Sequence, residues 1–314
     1  MRIFYVTDGV HIAGGQLVNL DHVATLRRLG YDAGLLIVRP KGEGAFEPRF
    51  PPGLDVPWQR DAAGLTAADF VVGGEMFGNG AVAVADSPAR RVLHNQGPFY
   101  SFMAFLDLAA LRQWGCEAMI LPSGVGADMV RRIGWDRALH VVRPALDPVF
   151  VPAAARELRI AAITRKRLQE VRLIRGILRS LRPDLGEVPW LEIAGVDRGE
   201  VARRMAASEI FLALGQLEGL GLPPLEALAT GALVIGFHGE GGREYATPQN
   251  GDWFGDALHF EIAETLAQRL DQLKAGERFE ARRAAGFATA AAFSKPAFEA
   301  QLAQAWAAIA GAPS

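Results

Sequence analysis

Short apolar runs alternate with longer stretches of helical period along almost all of this 314-residue chain, and that alternation limits the possible fold more than any other feature. Arg2–Thr7 is a β-branched and aromatic run closed by the polar turn Asp8–Gly9, which reads as a strand. Leu17, Leu20, Val23, Ala24 and Leu26 then recur at helical spacing, and Gly30 stops that helix as a C-cap glycine does. Ala33–Val38, Phe70–Val72, Val92–Leu93, Met119–Leu121 and His140–Val142 read as further strands, with helices over Tyr100–Gln113 and Gly126–Ile133 between them. A junction punctuated by Pro144, Pro148 and Pro152 follows. The second series comprises strands over Arg159–Ile163, Trp190–Ala194, Ile210–Leu214 and Leu233–Phe237 and helices over Leu168–Leu181, Arg198–Ala206 and Pro223–Thr230. Three alanine-rich amphipathic helices, Ala263–Leu273, Arg278–Ala291 and Ala297–Ile309, complete the chain. Residues 39–66, rich in proline, glycine and charge, are assigned to no element.

Strands linked by helices build parallel sheets covered on both faces. Two such series predict two Rossmann-like domains, with ligand held at the carboxyl ends of the strands. The expected boundaries are 1–150 for the first domain, 151–292 for the second, and 293–314 for a last helix that packs back on the first.

Composition narrows the function. Half of the residues are hydrophobic, so the core is ample. Charge is balanced along the chain, with 14 Lys+Arg against 15 Asp+Glu over residues 1–150 and 19 against 20 over the rest. A nucleic-acid binder shows a basic face, so none is expected as a partner. Arg27–Arg28, Arg90–Arg91 and Arg131–Arg132 are read as solvated helix faces, with at most peripheral contact to a membrane or an anionic acceptor. Cys116 stands alone, which excludes an internal disulfide and a cysteine metal cluster, and its apolar neighbours mark a packing thiol. The short apolar run at the start lacks the core of a signal peptide, and no apolar stretch is long enough to span a bilayer, so a cytoplasmic location is expected.

The densest signal is Glu218-Gly-Leu-Gly-Leu-Pro-Pro-Leu-Glu226-Ala-Leu-Ala-Thr-Gly231, directly after a buried strand. Gly219 and Gly221 let the backbone approach a ligand. Pro223 and Pro224 suit a first helical turn, where Glu226 is expected, and Gly231 ends the helix. This stretch resembles the Glu-x7-Glu signature of retaining glycosyltransferases of family 4, which have the GT-B fold: two Rossmann-like domains facing a central cleft. The likeness extends into Leu233-Val-Ile-Gly-Phe-His-Gly-Glu-Gly-Gly-Arg-Glu244, is strongest over about 155–260 and is weaker before it.

The resemblance implies transfer of a sugar from a nucleotide-diphosphate donor to an acceptor hydroxyl, with no cofactor and no metal. The acceptor is a glycan, a lipid or a small molecule, and its choice is expected within 39–90. Glu226 would hold the ribose hydroxyls, a task a carboxylate does with charge-assisted bonds. Glu218 would lie by the transferred centre, either stabilising positive charge or orienting hydroxyls. Arg165 and Lys166, after the strand Arg159–Ile163, would neutralise the leaving diphosphate, with Arg167 a third cation in reach; here they are adjacent rather than spaced as is commonest. Gly14 and Gly15 precede a helix and could cradle phosphate with free amides. Leu220 and Leu222, with the flanking glycines, would line the donor.

His94 follows a strand at the place where the family presents a histidine to the donor sugar, and Asn95 and Gln96 supply groups suited to hydroxyls. His11 is a weaker candidate, and Ser123 is read equally as a family turn or a helix cap. His238, Gly239 and Gly242 would cup the base or sugar end. Trp253, Phe254 and Phe260 are read as core. No Gly-x-Gly-x-x-Gly is present, which disfavours a dinucleotide dehydrogenase. A nucleotide-sugar epimerase, a phosphorylase and a non-catalytic nucleotide-sugar-binding protein are the alternative readings.

Overall fold

The computed structural model describes residues 1–7, 14–38, 48, 50, 56–75, 84–105, 107–164 and 167–311, without the side chains of residues 14, 103 and 104. Two compact units divide the chain: Met1–Pro144 with Phe298–Ser314, and Ala145–Ala297.

The first unit carries strands β1 (Arg2–Thr7), β2 (Asp32–Ile37), β3 (Trp58–Gln59), β4 (Phe70–Gly74), β5 (Arg90–His94), β6 (Cys116–Leu121) and β7 (Ala138–Val141). They form one parallel sheet in the order β3-β2-β1-β4-β5-β6-β7. Its helices are α1 (Gly14–Arg28), α2 (Ser101–Ala104), α3 (Leu108–Gln113) and α4 (Gly124–Arg132). The helix expected over Tyr100–Gln113 is therefore broken. Phe105 is extended and buried, and Asp107 caps a new helix by accepting from the Ala110 amide at 2.8 Å. Strand β3 went unread because its two residues carry too little pattern.

The second unit carries β8 (Glu157–Ile163), β9 (Trp190–Ile193), β10 (Ser208–Glu218), β11 (Leu233–Glu240) and β12 (Gly251–Phe254), parallel in the order β12-β11-β10-β8-β9. Around it lie α5 (Leu168–Leu181), α6 (Arg198–Ala206), α7 (Leu222–Thr230), α8 (His259–Lys274) and α9 (Glu280–Ala291). On α5, Val171, Ile174 and Leu178 are buried at helical spacing against β8, β10 and β11 residues such as Ile160, Leu212 and Ile235. Each such side chain contributes about 1.5–3 kcal/mol by leaving water, which is why the period was legible.

Helix α10 (Lys295–Gly311) begins in the second unit, and from Phe298 onward it belongs to the first. It buries Phe298, Leu302, Ala305, Trp306 and Ile309, one face of a helix. Trp306 meets Phe70 edge-on at 5.4 Å between ring centres, Phe298 meets His22 at 5.2 Å, and the Arg143 amide donates to Gln301 Oε1 at 2.8 Å.

Two readings of single side chains are corrected. Phe260, taken as core, is half exposed on the first turn of α8. Arg90 and Arg91 sit on strand β5, not on a solvated helix: Arg90 pairs with Glu117 and lies over Phe70, while Arg91 donates to the Val84, Ala85 and Ser87 carbonyls. Cys116 is buried, and burial pushes its thiol up to about 12, as befits a packing group. No described helix is long and apolar enough to cross a membrane.

Candidate functional site

In each sheet the chain builds outward to one side of the first strand and then returns to its other side. In the second unit that reversal lies between β8 and β10, and in the first between β1 and β4. At such a reversal the loops leaving two neighbouring strands diverge, so the carboxyl ends there are the natural ligand position of open α/β sheets.

In the second unit, β10 extends to Glu218, beyond the expected end at Leu214, and its pairing with β11 shifts between Gly215 and Glu218. The irregularity places Glu218 on the strand's carboxyl end. Helix α7 then starts at Leu222, capped by Gly221 at φ +84°, with proline in its first turn. Glu226 is accordingly the fifth residue of the helix, one residue deeper than expected, and only 4% exposed. Its partner is Arg198 at the start of α6, whose Nη2 donates to Glu226 Oε1 at 2.8 Å. Arg198 Nε donates to Asp147 Oδ2 at 2.6 Å, and its guanidinium lies 4.9 Å above the Phe150 ring. Burial pushes the Glu226 carboxyl above the ordinary glutamate range, and Arg198 opposes that shift.

Tyr245 ties this region together. Its hydroxyl donates to the Gly221 carbonyl at 2.6 Å, and the ring is buried. Burial raises its phenol well above the usual value, reinforced by the charges of Glu218 and Glu226, so it stays a neutral donor. A Cβ on Gly242 would lie 3.3 Å from the same hydroxyl. Gly239, at φ +62°, would place a Cβ 2.7 Å from the Gly215 backbone, so this glycine serves strand-to-strand approach. His238 is partly buried, and its Nδ1 accepts from the Glu240 amide at 3.1 Å. The Leu220 side chain faces the core, and Leu222 packs partly against the same cluster, so neither lines a ligand surface with its full side chain. Gly219 lies in the turn between Glu218 and Gly221.

Arg165, Lys166 and His11 lie outside the described residues. Arg167, read as a spare cation for the diphosphate, is engaged elsewhere. It is buried, pairs with both carboxylate oxygens of Glu170, and donates to Gly215 O at 2.8 Å and Asp256 Oδ1 at 3.0 Å. Its guanidinium also rests 4.4 Å from the Phe237 ring centre. It clamps the end of β8 to β10 and β11.

In the first unit, Gly14 and Gly15 open α1. His94 ends β5, 2% exposed, and stacks on His22 at 4.3 Å. Burial lowers its pKa to about 3, so it is neutral. His94 Nδ1 lies 2.7 Å from Asn19 Oδ1. Gln96 Nε2 donates to Asn19 Oδ1 at 3.1 Å and to Gly15 O at 2.9 Å, and its backbone amide donates to Glu75 Oε2 at 3.0 Å. Asn95, in contrast, is fully buried and donates to Ser101 Oγ at 2.7 Å. Ser123 caps α4 by accepting from the Gly126 amide at 3.1 Å. Trp253 donates to Asn250 Oδ1 at 2.9 Å and packs edge-on against Tyr245, and Phe254 packs partly on the core.

Asn19, Arg198, Asp147 and Tyr245 went unread in the sequence. Asn19 lies one turn along α1 from Gly15, and that spacing to the glycine pair was the available signal. Arg198 and Tyr245 sit in no motif, and only the packing of α6 and the Gly241–Glu244 turn against α7 brings them to Glu226 and Gly221.

Comparison with known proteins places this geometry. The family model described as glycosyl transferases group 1 matches residues 193–289, a span that contains both Glu218 and Glu226. An α-1,6-glucosyltransferase of Actinobacillus pleuropneumoniae serotype 7 (strain AP76) is 30% identical over 285 residues, 88% of this chain and 86% of that protein. Anabaena Alr3699/HepE, solved in complex with UDP, superposes with a TM-score of 0.71 at 14% identity, covering 98% of this chain and all of that one. The pneumococcal O-GlcNAc transferase GtfA, solved with UDP and GlcNAc, gives 0.69 at 11% identity over 99% and 98%. At such identities the solved structures speak for the fold, which is GT-B, and the sequence relative speaks for the family. This chain belongs to the glycosyl transferases group 1 and is a glycosyltransferase.

Proposed function

We propose that the enzyme transfers a hexosyl group from a nucleoside-diphosphate sugar to an acceptor hydroxyl with retention of anomeric configuration. One observation carries the donor assignment: a buried, ionisable carboxylate, Glu226, is held by Arg198 beside the carboxyl-end reversal of the second sheet. A buried carboxylate with one oxygen on a guanidinium keeps acceptor capacity for a pair of vicinal hydroxyls, and a ribose supplies such a pair. The second unit is thus read as the donor domain and the first as the acceptor domain. UDP-glucose is the first donor to test, since the Actinobacillus relative is named a glucosyltransferase and Anabaena HepE was solved with UDP-glucose.

In the transfer, the bond from C1 to the β-phosphate oxygen breaks and its electron pair leaves with the diphosphate. The acceptor oxygen bonds C1, and its proton passes to the departing diphosphate. Arg165 and Lys166 are assigned to the charge that builds on the leaving group, where preplaced cations are most effective. Glu218 is assigned to the face of the transferred sugar, and the start of α1, with Gly14 and Gly15, to the donor.

Two measurements test the reading. A thermal-shift series with UDP, GDP, ADP and their glucose conjugates reads donor choice, because a ligand of the folded state raises its melting temperature. Glu226→Ala should abolish the shift, and an unchanged shift would overturn the site. Incubation of donor alone and with acceptor, followed by NMR of the product anomer, separates transfer from epimerisation and retention from inversion.

A further inference from the structure

In the first unit, one amide oxygen gathers two donors. Asn19 Oδ1 lies 2.7 Å from His94 Nδ1 and 3.1 Å from Gln96 Nε2. The same Gln96 nitrogen also faces Gly15 O at 2.9 Å, so both of its hydrogens point at oxygens. A turned Asn19 amide would set NH2 against NH2, so the network fixes which Asn19 atom faces His94. An amide oxygen only accepts, which leaves the imidazole hydrogen on Nδ1. A ring turned over between His22, stacked at 4.3 Å, and the edge of Tyr5, at 5.9 Å between ring centres, would set Cδ2 against Asn19 Oδ1 and lose this hydrogen bond. Burial holds the ring neutral, so it has one hydrogen to place.

We propose that Asn19 is a positioning residue that locks His94 in the Nδ1–H tautomer, so that Nε2 presents a lone pair and takes a hydroxyl hydrogen. This reverses the preference of a free imidazole side chain, which favours hydrogen on Nε2. On the reading that His94 addresses the donor sugar, the selected class is a sugar with a hydroxyl at that position. A carboxylate or fluorine there has no hydrogen to give and meets the lone pair.

Long-range proton–nitrogen NMR of the full chain, with His94 assigned from the signals lost in His94→Gln, reads the tautomer directly. The expected pattern is a pyrrole-like Nδ1 and a pyridine-like Nε2 at neutral pH. Asn19→Ala should move His94 toward the Nε2–H pattern and lower kcat/KM for the donor about tenfold, and Asn19→Asp, which keeps an acceptor, should retain hydrogen on Nδ1. A pyrrole-like Nε2 in the unsubstituted protein, or an unchanged pattern in folded Asn19→Ala, would overturn the proposal; the first reading needs no variant. The expected tautomer together with donor turnover indifferent to His94→Gln would support the lock and sink the sugar-facing reading of His94.

Discussion

The two sheets reverse in the same way and end in opposite chemistry. At the end of β5 the groups that bond the His94 and Gln96 side chains are neutral: an imidazole lowered by burial, two side-chain amides and a backbone carbonyl, while a carboxyl, Glu75, accepts from the Gln96 backbone amide and is raised by burial. At the end of β10 and the start of α7 they are charged: Glu226, Arg198 and Asp147 in one chain of contacts, Arg167, Glu170 and Asp256 in another. Burying a charge costs several kcal/mol unless it is paired, so the second site carries counterions that the first does without. A neutral network reads where hydrogens are, which suits sugar hydroxyls. A charged one supplies fields, which suits a nucleotide.

That contrast can be broken most directly at Glu226. Replacement by alanine should weaken nucleotide binding by about 2–4 kcal/mol, roughly 30- to 1000-fold by calorimetry, because on the proposed reading the ribose loses its acceptor, and Arg198 loses its partner. A loss below threefold would mean that charge at this site is structural only.

Removing the counterion should give a smaller effect with a pH signature. Because Arg198 is partly exposed, solvent screens the pair, and Arg198→Met should cost about 1 kcal/mol of nucleotide affinity at neutral pH. The Glu226 carboxyl is already raised by burial, so affinity is full above its pKa and falls as pH drops through it. Without Arg198 that fall should begin at higher pH, whereas affinity profiles of His94 variants should not move. Parallel titrations of the two proteins decide this.

Tyr245→Phe removes one buried hydrogen bond to Gly221 and leaves the ring packing. A loss of about 1 kcal/mol is expected, seen as a melting temperature lowered by roughly 2–4 °C, with a modest rise in donor KM from a looser entry to α7. Arg131→Ala, which removes an exposed pair with Asp128, should stay within about 0.5 kcal/mol and set the floor of the comparison.

The readability of the chain follows the range of the forces involved. Helices α5 and α6 were read from the sequence at their observed bounds, because their buried faces repeat locally. The Glu218–Gly231 stretch was legible because glycine and proline state backbone conformation in their own chemistry, and φ +84° at Gly221 and φ +78° at Gly231 are what such residues permit. Arg167 was misread for the opposite reason. Its two basic neighbours in sequence, Arg165 and Lys166, suggested a free cation, while its partners Gly215 and Asp256 lie 48 and 89 residues away.

From the sequence alone come the two α/β series, the spacing of Glu218 and Glu226 and the coarse assignment to the glycosyltransferases, all of which rest on local patterns along the chain. Tertiary structure decided which charges pair with one another. It seated Arg198 against Glu226, closed Arg167 into a clamp, and turned Asn19 toward His94. The physical reason is that pairing energy depends on distance and burial between side chains, and neither is written in the spacing of residues along one strand or helix.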